Sequence, residues 1–343
     1  MKALFFVMFA AACSSGNDGP PAVDAAGAQP IVTPDDQWTW VPIEGTTCAN
    51  GSPAGIGVYR THVTDNVFVY FQGGGACWDY KTCFVDKSSV HVETTYDQAT
   101  LTSEAGALAF NRADTTNPLS QSTVVFVPYC TADLHAGDNI ATYSDGSISK
   151  QVHHSGAVNT QAFVDAVHST LPDAQTVWVA GSSAGGYAAT LNFHRFTTAW
   201  SGASVHLLQD SSPFVPVLTN FSTWKTAWNL QYPPGCNDCE TSFPAVVDAV
   251  ATAHPSSRIG LMHFTEDSVI KFFFGYTGSL LPATNALLDN EYKYANTKAY
   301  VIAADRHTML GELGTLVSPG GVPLGNWVLQ WVRGEEGWTT VRP

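Results

Sequence analysis

The sequence predicts an α/β fold, with a mostly parallel central sheet and helices on both of its faces. Three observations carry that expectation. Strand-length runs such as VFVYFQ at 67–72 and TVVFVPY at 123–129 are almost continuously apolar, as in strands buried on both sides. Stretches with helical spacing separate these runs, which is the alternation of a parallel sheet. Hydrophobic residues make up 45% of the 343 positions and charged residues only 13%, against a usual charged share of roughly 25%. The chain can therefore bury a large core, and disorder as its main state is excluded. Its formal charge of −14 disfavours a grip on phosphate backbones, so nucleic acid is not an expected partner. No run of about 18 apolar residues is present, and no bilayer-spanning helix is predicted.

Residues 1–12 (MKALFFVMFAAA) combine Lys2, a short apolar stretch and three small residues, the pattern of an export signal. The Ala-Ala-Ala-Cys ending resembles a bacterial lipobox. Lipidation would make Cys13 the first mature residue and an outer-membrane anchor. Cleavage after Ala12 without lipidation would give a secreted or periplasmic product. Residues 13–36 are rich in Ser, Gly, Pro, Ala and Asp and read as a flexible tether. One folded domain is expected over 37–343. Its strands are expected at 67–72, 123–129, 176–180, 204–209, 259–264 and 298–303. Its clearest helices are expected at 154–171, 184–196 and 323–333. Cys13 aside, six cysteines remain (Cys48, Cys77, Cys83, Cys130, Cys236 and Cys239), an even number suited to disulfides outside the cytoplasm. Cys236-x-x-Cys239 has no second CxxC to complete a zinc site, so a local disulfide is the better reading.

The sharpest chemical signal is Gly181-Ser182-Ser183-Ala184-Gly185, followed by Gly186. It fits GxSxG between an expected strand and an expected helix, the context this motif requires. The register makes Ser183 the nucleophile. A serine hydroxyl needs a base at neutral pH, and the expected chain order is Ser, acid, His. Of eleven histidines, only His307 follows the 259–264 strand and its acidic tail. Asp267 fits best as the acid that orients the imidazole, and it would equally suit a helix N-cap before Ser268. Glu266 and Asp210 are the alternatives, and Asp305 is too near His307 in sequence to reach its ring easily. Gly73-Gly74-Gly75-Ala76 follows a strand, where backbone N–H groups can meet a developing oxyanion. The N–H of Ala184 is the expected second donor. No Gly-Lys-Ser/Thr closes the glycine run, so it is not a phosphate loop.

With these residues in hand, the chain resembles the pectin acetylesterase/Notum family of serine carboxylesterases. The segment Cys48-Ala-Asn-Gly-Ser-Pro-Ala-Gly55 is similar to that family's CxDGSPxxY-type element. Phe71-Gln-Gly-Gly-Gly-Ala-Cys77 matches its oxyanion loop, and Cys77-x5-Cys83 is also similar. Val127-Pro-Tyr-Cys130-Thr-Ala-Asp133 with Gly137 is like its YCxxDxxxG element, and 181–186 matches its GxSAGG turn. The resemblance implies an α/β-hydrolase-like fold with a small cap insertion. It also implies ester hydrolysis by Ser183, Asp267 and His307, with Gly74, Gly75 and Ala184 as oxyanion donors and no metal or organic cofactor. It further implies disulfides Cys48–Cys130 and Cys77–Cys83, which leaves Cys236–Cys239. Two departures stand out. Gly75-Ala76 replaces a large aromatic of the family, which predicts a widened or reshaped acyl pocket. His307 lies in Arg-His-Thr rather than beside a cysteine.

The expected cap is 213–235. Its Trp224, Trp228 and Tyr232 either bind substrate, by stacking on sugar rings or lining an acyl tunnel, or pack on one another. The leading functional expectation is an exported serine esterase acting on an acylated carbohydrate such as pectin or on small acyl esters. A lipase or polyester depolymerase on the same triad is the second reading. A non-catalytic surface binding lipoprotein is the third.

Overall fold

The computed structural model describes residues 28–105 and 117–343. The expected export signal and Cys13 lie outside the described residues. The strands are β1 (Trp38–Thr47), β2 (Pro53–Tyr59), β3 (Asn66–Phe71), β4 (Thr123–Val127), β5 (Asn139–Ser144), β6 (Ser149–His154), β7 (Thr176–Ser182), β8 (Ser204–Asp210), β9 (Ile259–Phe264) and β10 (Thr297–Ile302). The helices are α1 (Gln98–Ala105), α2 (Gly156–Thr170), α3 (Ala184–Leu191), α4 (Phe193–Ala199), α5 (Phe221–Trp228), α6 (Ala245–Ala253), α7 (Ser268–Phe274), α8 (Leu281–Asn290) and α9 (Leu324–Arg333).

Eight strands form one sheet in the order β1-β2-β4-β3-β7-β8-β9-β10. From β4 to β10 every neighbouring pair is parallel, and β1 and β2 add an antiparallel edge. The chain leaves β3 towards β4 on one side and later returns as β7 on the other. A crevice therefore opens beyond the carboxyl ends of β3 and β7, where ligands of such sheets bind. Alternate residues of each strand serve opposite cores, as the two-residue strand period demands. Val177 and Val179 enter one core with Phe163 of α2 and Ala188 of α3. Trp178 and Ala180 enter the other with Trp327 and Trp331 of α9. The mostly parallel sheet covered on both faces is as the sequence predicts.

Several boundaries differ from expectation. The helix expected over 184–196 is two helices, parted at Asn192 (φ −100°, ψ 2°). The Asn192 amide donates to the His135 carbonyl at 3.0 Å, an attachment that a continuous helix would not place there. Packing also begins before Gln37. Ile31 is buried in the core and its N–H donates to Thr170 Oγ1 at 2.7 Å, so the tether reading does not hold for that residue. The β5–β6 hairpin escaped the sequence reading because NIATYS and SKQVHH lack a strong apolar signal. Three disulfides, Cys48–Cys130, Cys77–Cys83 and Cys236–Cys239, pair the cysteines as the resemblance implies. Among the described residues no helix is long and apolar enough to cross a membrane.

Candidate active site

β7 runs into α3 through Ser183, whose φ of 58° and ψ of −126° place a non-glycine residue in a sparsely populated region. Neighbours hold it there. The Ser183 N–H donates to the Asp210 carbonyl at 2.8 Å, and the Ser183 carbonyl accepts from Gly186 N–H at 2.9 Å. The turn closes only because its flanks are bare. A Cβ on Gly185 would stand 2.0 Å from the Phe71 carbonyl oxygen, and one on Gly181 would stand 2.2 Å from that of Gly185. The sheet register adds to this, since Phe71 lies opposite Gly181 and Ser182 opposite Asp210.

His307 sits on the loop after β10, with Nδ1 2.7 Å from Asp267 Oδ2. Asp267 is fully buried. A carboxylate only accepts hydrogen bonds, so Nδ1 carries the proton and Nε2 of the neutral ring is left as an acceptor. The other Asp267 oxygen caps α7 by accepting from Val269 N–H at 3.0 Å and Ile270 N–H at 3.1 Å. One side chain thus both contacts the imidazole and caps the helix. Glu266 turns away, paired with Ser279 and, at 3.5 Å, with Lys271. Asp305 accepts from Ser268 N–H at 3.0 Å and so fastens the histidine loop to the start of α7. His263, fully buried on β9, is held neutral by desolvation and by His307 nearby, which push its pKa down to about 3.

Asp210, the second alternative acid, is engaged elsewhere. Its carboxylate accepts from Ser182 Oγ at 2.7 Å, Met309 N–H at 2.7 Å and Leu310 N–H at 3.0 Å. Burial raises its pKa, while these hydrogen bonds and His307 oppose the rise.

The glycine run after β3 arches over Ser183. A Cβ at Gly73 would meet Ser183 Cβ at 2.8 Å. The Ala76 N–H is committed to the Ser88 carbonyl at 3.1 Å. Gly74 and Gly75 have no main-chain acceptor for their N–H groups among the described residues. Behind the run, His135 bonds the Gln72 carbonyl through Nε2 at 3.0 Å, and its own pKa is driven down to about 4 by burial. Gly73, Gly74, Gly75, Ser182, Ser183 and His307 line one open cavity of about 450 Å³, together with Tyr70, Val269, Thr308, Leu310 and Gly311. Ala184 stands directly after Ser183 as the first residue of α3.

One pair of sequence expectations is resolved towards packing. Trp224 and Trp228 are buried and stacked on each other at 5.3 Å. Trp228 Nε1 also donates to the Cys77 carbonyl at 2.8 Å. They belong to the core, as does the flank of Tyr232, and none of the three lines the cavity. At Gly75-Ala76, where the sequence departs from the family, the local fit is tight. Ala76 is buried, and a Cβ on Gly75 (φ +79°) would lie 2.0 Å from the Ser88 carbonyl and 3.2 Å from Phe273. The backbone itself therefore requires glycine at 75. Tyr70, Val269 and Leu310 escaped the sequence reading. Leu310 is three residues from His307 and Val269 two from Asp267, which was the only signal available.

Comparison with known proteins agrees with this geometry. The chain is 29% identical over 150 residues to palmitoleoyl-protein carboxylesterase notum2 of Xenopus laevis, covering 43% of this chain and 30% of that protein. It is 24% identical over 242 residues to palmitoleoyl-protein carboxylesterase notum1' of the same organism, covering 68% of this chain and 46% of that protein. The matches thus span less than half the length of these relatives. A family model described as pectinacetylesterase matches residues 39–232, more than half of the chain and inclusive of the glycine run and the Ser183 turn, and on that match the protein belongs to the pectinacetylesterase family.

Proposed function

We propose that the protein is a serine carboxylesterase acting through an acyl-enzyme, with acetyl esters of carbohydrate as its substrate class. The observation that carries this reading is the contact of His307 with the buried Asp267 at 2.7 Å, with His307 and a strained Ser183 on the wall of the same cavity. His307 Nε2 takes the Ser183 hydroxyl proton as Oγ attacks the ester carbonyl carbon. The N–H groups of Gly74, Gly75 and Ala184 receive the developing oxyanion. Collapse breaks the carbon–oxygen bond, and the alcohol leaves with the proton held by His307. Water then gives up a proton to His307 and attacks the acyl carbon, and as the carbon–Oγ bond breaks His307 returns that proton to Ser183 Oγ, releasing the carboxylic acid. Asp267 holds the imidazole in the required tautomer throughout.

The family description supports acetyl as the acyl group, and the names of the two relatives show that long acyl esters are handled by similar chains. A panel of acetylated pectin, short acyl esters and long acyl esters decides between them. Turnover highest on acetyl esters supports the proposal, and preference for long chains replaces it with the lipase-like reading. The Ser183→Ala protein should lose ester hydrolysis and labelling by a fluorophosphonate probe. Retained turnover would remove the mechanism. The protein is further proposed to act outside the cytoplasm, which its three disulfides support, and to be anchored through lipidated Cys13. Mass spectrometry of the N-terminal peptide from its native host checks the anchor.

A further inference from the structure

We propose that Asp210 is a positioning residue that locks the His307 loop onto the Ser183 turn, so that nucleophile and base are set by one side chain. The inference rests on the triad reading above. Asp210 ends β8 and is fully buried. It touches both arms of the site. Towards the nucleophile, its carbonyl accepts from Ser183 N–H at 2.8 Å and its carboxylate from Ser182 Oγ at 2.7 Å. Towards the base, the same carboxylate accepts from Met309 and Leu310 N–H at 2.7 and 3.0 Å. The next residue continues the clamp, because Ser211 Oγ accepts from Thr308 N–H at 2.9 Å.

The chemistry explains why the residue is an aspartate. Three donors, one hydroxyl and two amides, converge on a dry point. Only a carboxylate accepts all three with two oxygens and contributes no hydrogen of its own. Asparagine would set an NH₂ against a donor. The need for a clamp is also visible. The Asp267 contact fixes the ring only at Nδ1, and the ring can still pivot about it. The direction of Nε2 then depends on the backbone at 307–310, where Thr308 has a φ of 67°. With the three N–H groups of 308–310 anchored, that pivot is closed.

The test is a double-mutant cycle between Asp210 and His307 in the full chain, read by p-nitrophenyl acetate turnover and by the rate of fluorophosphonate labelling. Asp210→Asn should lower kcat and the labelling rate about 10- to 100-fold, the scale of a small misalignment, with KM within about twofold. Ser182→Ala, which removes one of the three donors, should lower both rates by a smaller factor. Placed on His307→Ala, either substitution should cost much less, because the part of its effect carried by the histidine is already lost. A general structural role predicts the same fold-loss in both backgrounds, and that result overturns the proposal, as does unchanged kcat in Asp210→Asn. If Asp210→Asn does not fold, judged by its circular dichroism spectrum, the Ser182→Ala arm decides by the same criterion. Failure of the triad reading is separately visible: His307→Ala alone would then keep wild-type turnover.

Discussion

At the residue scale, Asp267 joins two duties that can be separated. Asparagine is as good an N-cap as aspartate, but it cannot enforce the Nδ1–H tautomer of His307. Asp267→Asn should therefore keep its thermal midpoint close to wild type while kcat falls by about 10³-fold or more, by analogy with triads in which this exchange has been made. Comparing the melting curve with turnover checks both halves. Glu266→Gln should leave kcat within about twofold, since Glu266 meets Ser279 and Lys271 rather than the imidazole and exposed pairs contribute little. A large loss in Glu266→Gln would reverse the assignment of the acid. The sequence left three candidates for the acid, Asp267, Glu266 and Asp210. Which of them faces the histidine depended on how α7 begins, where Asp267 is held by capping bonds to Val269 and Ile270, and on the separate partners of Asp210.

At the element scale, the tryptophans of α5 suited either a ligand or a core from sequence, and the structure packs them in the core. Trp224 and Trp228 pack against Trp78, Phe274 and His154, behind the wall that carries the oxyanion loop. Trp228→Ala should accordingly lower stability by about 3–5 kcal/mol and leave KM for short esters unchanged in the protein that folds. Denaturant midpoints and initial rates check this. A raised KM without lost stability would restore the substrate-binding reading. Aromatic content alone could not distinguish the cases, because stacking on a sugar and stacking in a core demand the same side chains.

At the scale of the whole molecule, two long-range constraints set stability. The Cys48–Cys130 bridge spans 82 residues and ties the end of β1 to the chain just past β4. In the chain-entropy account a loop of that length is worth about 4 kcal/mol, so the Cys48→Ala/Cys130→Ala protein should unfold at clearly lower urea. The second constraint is pH. His135, His154, His206 and His263 are buried, and desolvation lowers their pKa values to about 4, 4, 3 and 3. An unfolded histidine titrates near ~6.5. Between those limits the unfolded chain binds the extra protons, so this stabilisation is full above that value and is lost as pH falls towards 4. Asp133 works in the opposite sense. Its burial raises its pKa to about 7, so the native state holds the proton and stability declines as pH rises through that range. His194 is lowered to about 4 by desolvation, as the four histidines above are. These histidines outweigh Asp133, so stability should rise from about pH 4 towards about pH 6.5. Urea midpoints at half-unit steps of pH read this directly. A midpoint that falls steadily from pH 4.5 to 6.5 would contradict the assignment.

By itself the sequence determined the layered α/β architecture and the Ser183 turn, and it singled out His307 and three candidate acids, because these rest on local signals: apolar runs, glycines that admit a close approach, and order along the chain. Only the tertiary structure decided which neighbour of a candidate residue faces the site, that the cap tryptophans are core, and that Asp210 ties β8 to both the Ser183 turn and the His307 loop. Those outcomes depend on contacts between segments up to 151 residues apart, and no local pattern encodes the partner of a side chain whose neighbours come from elsewhere in the chain.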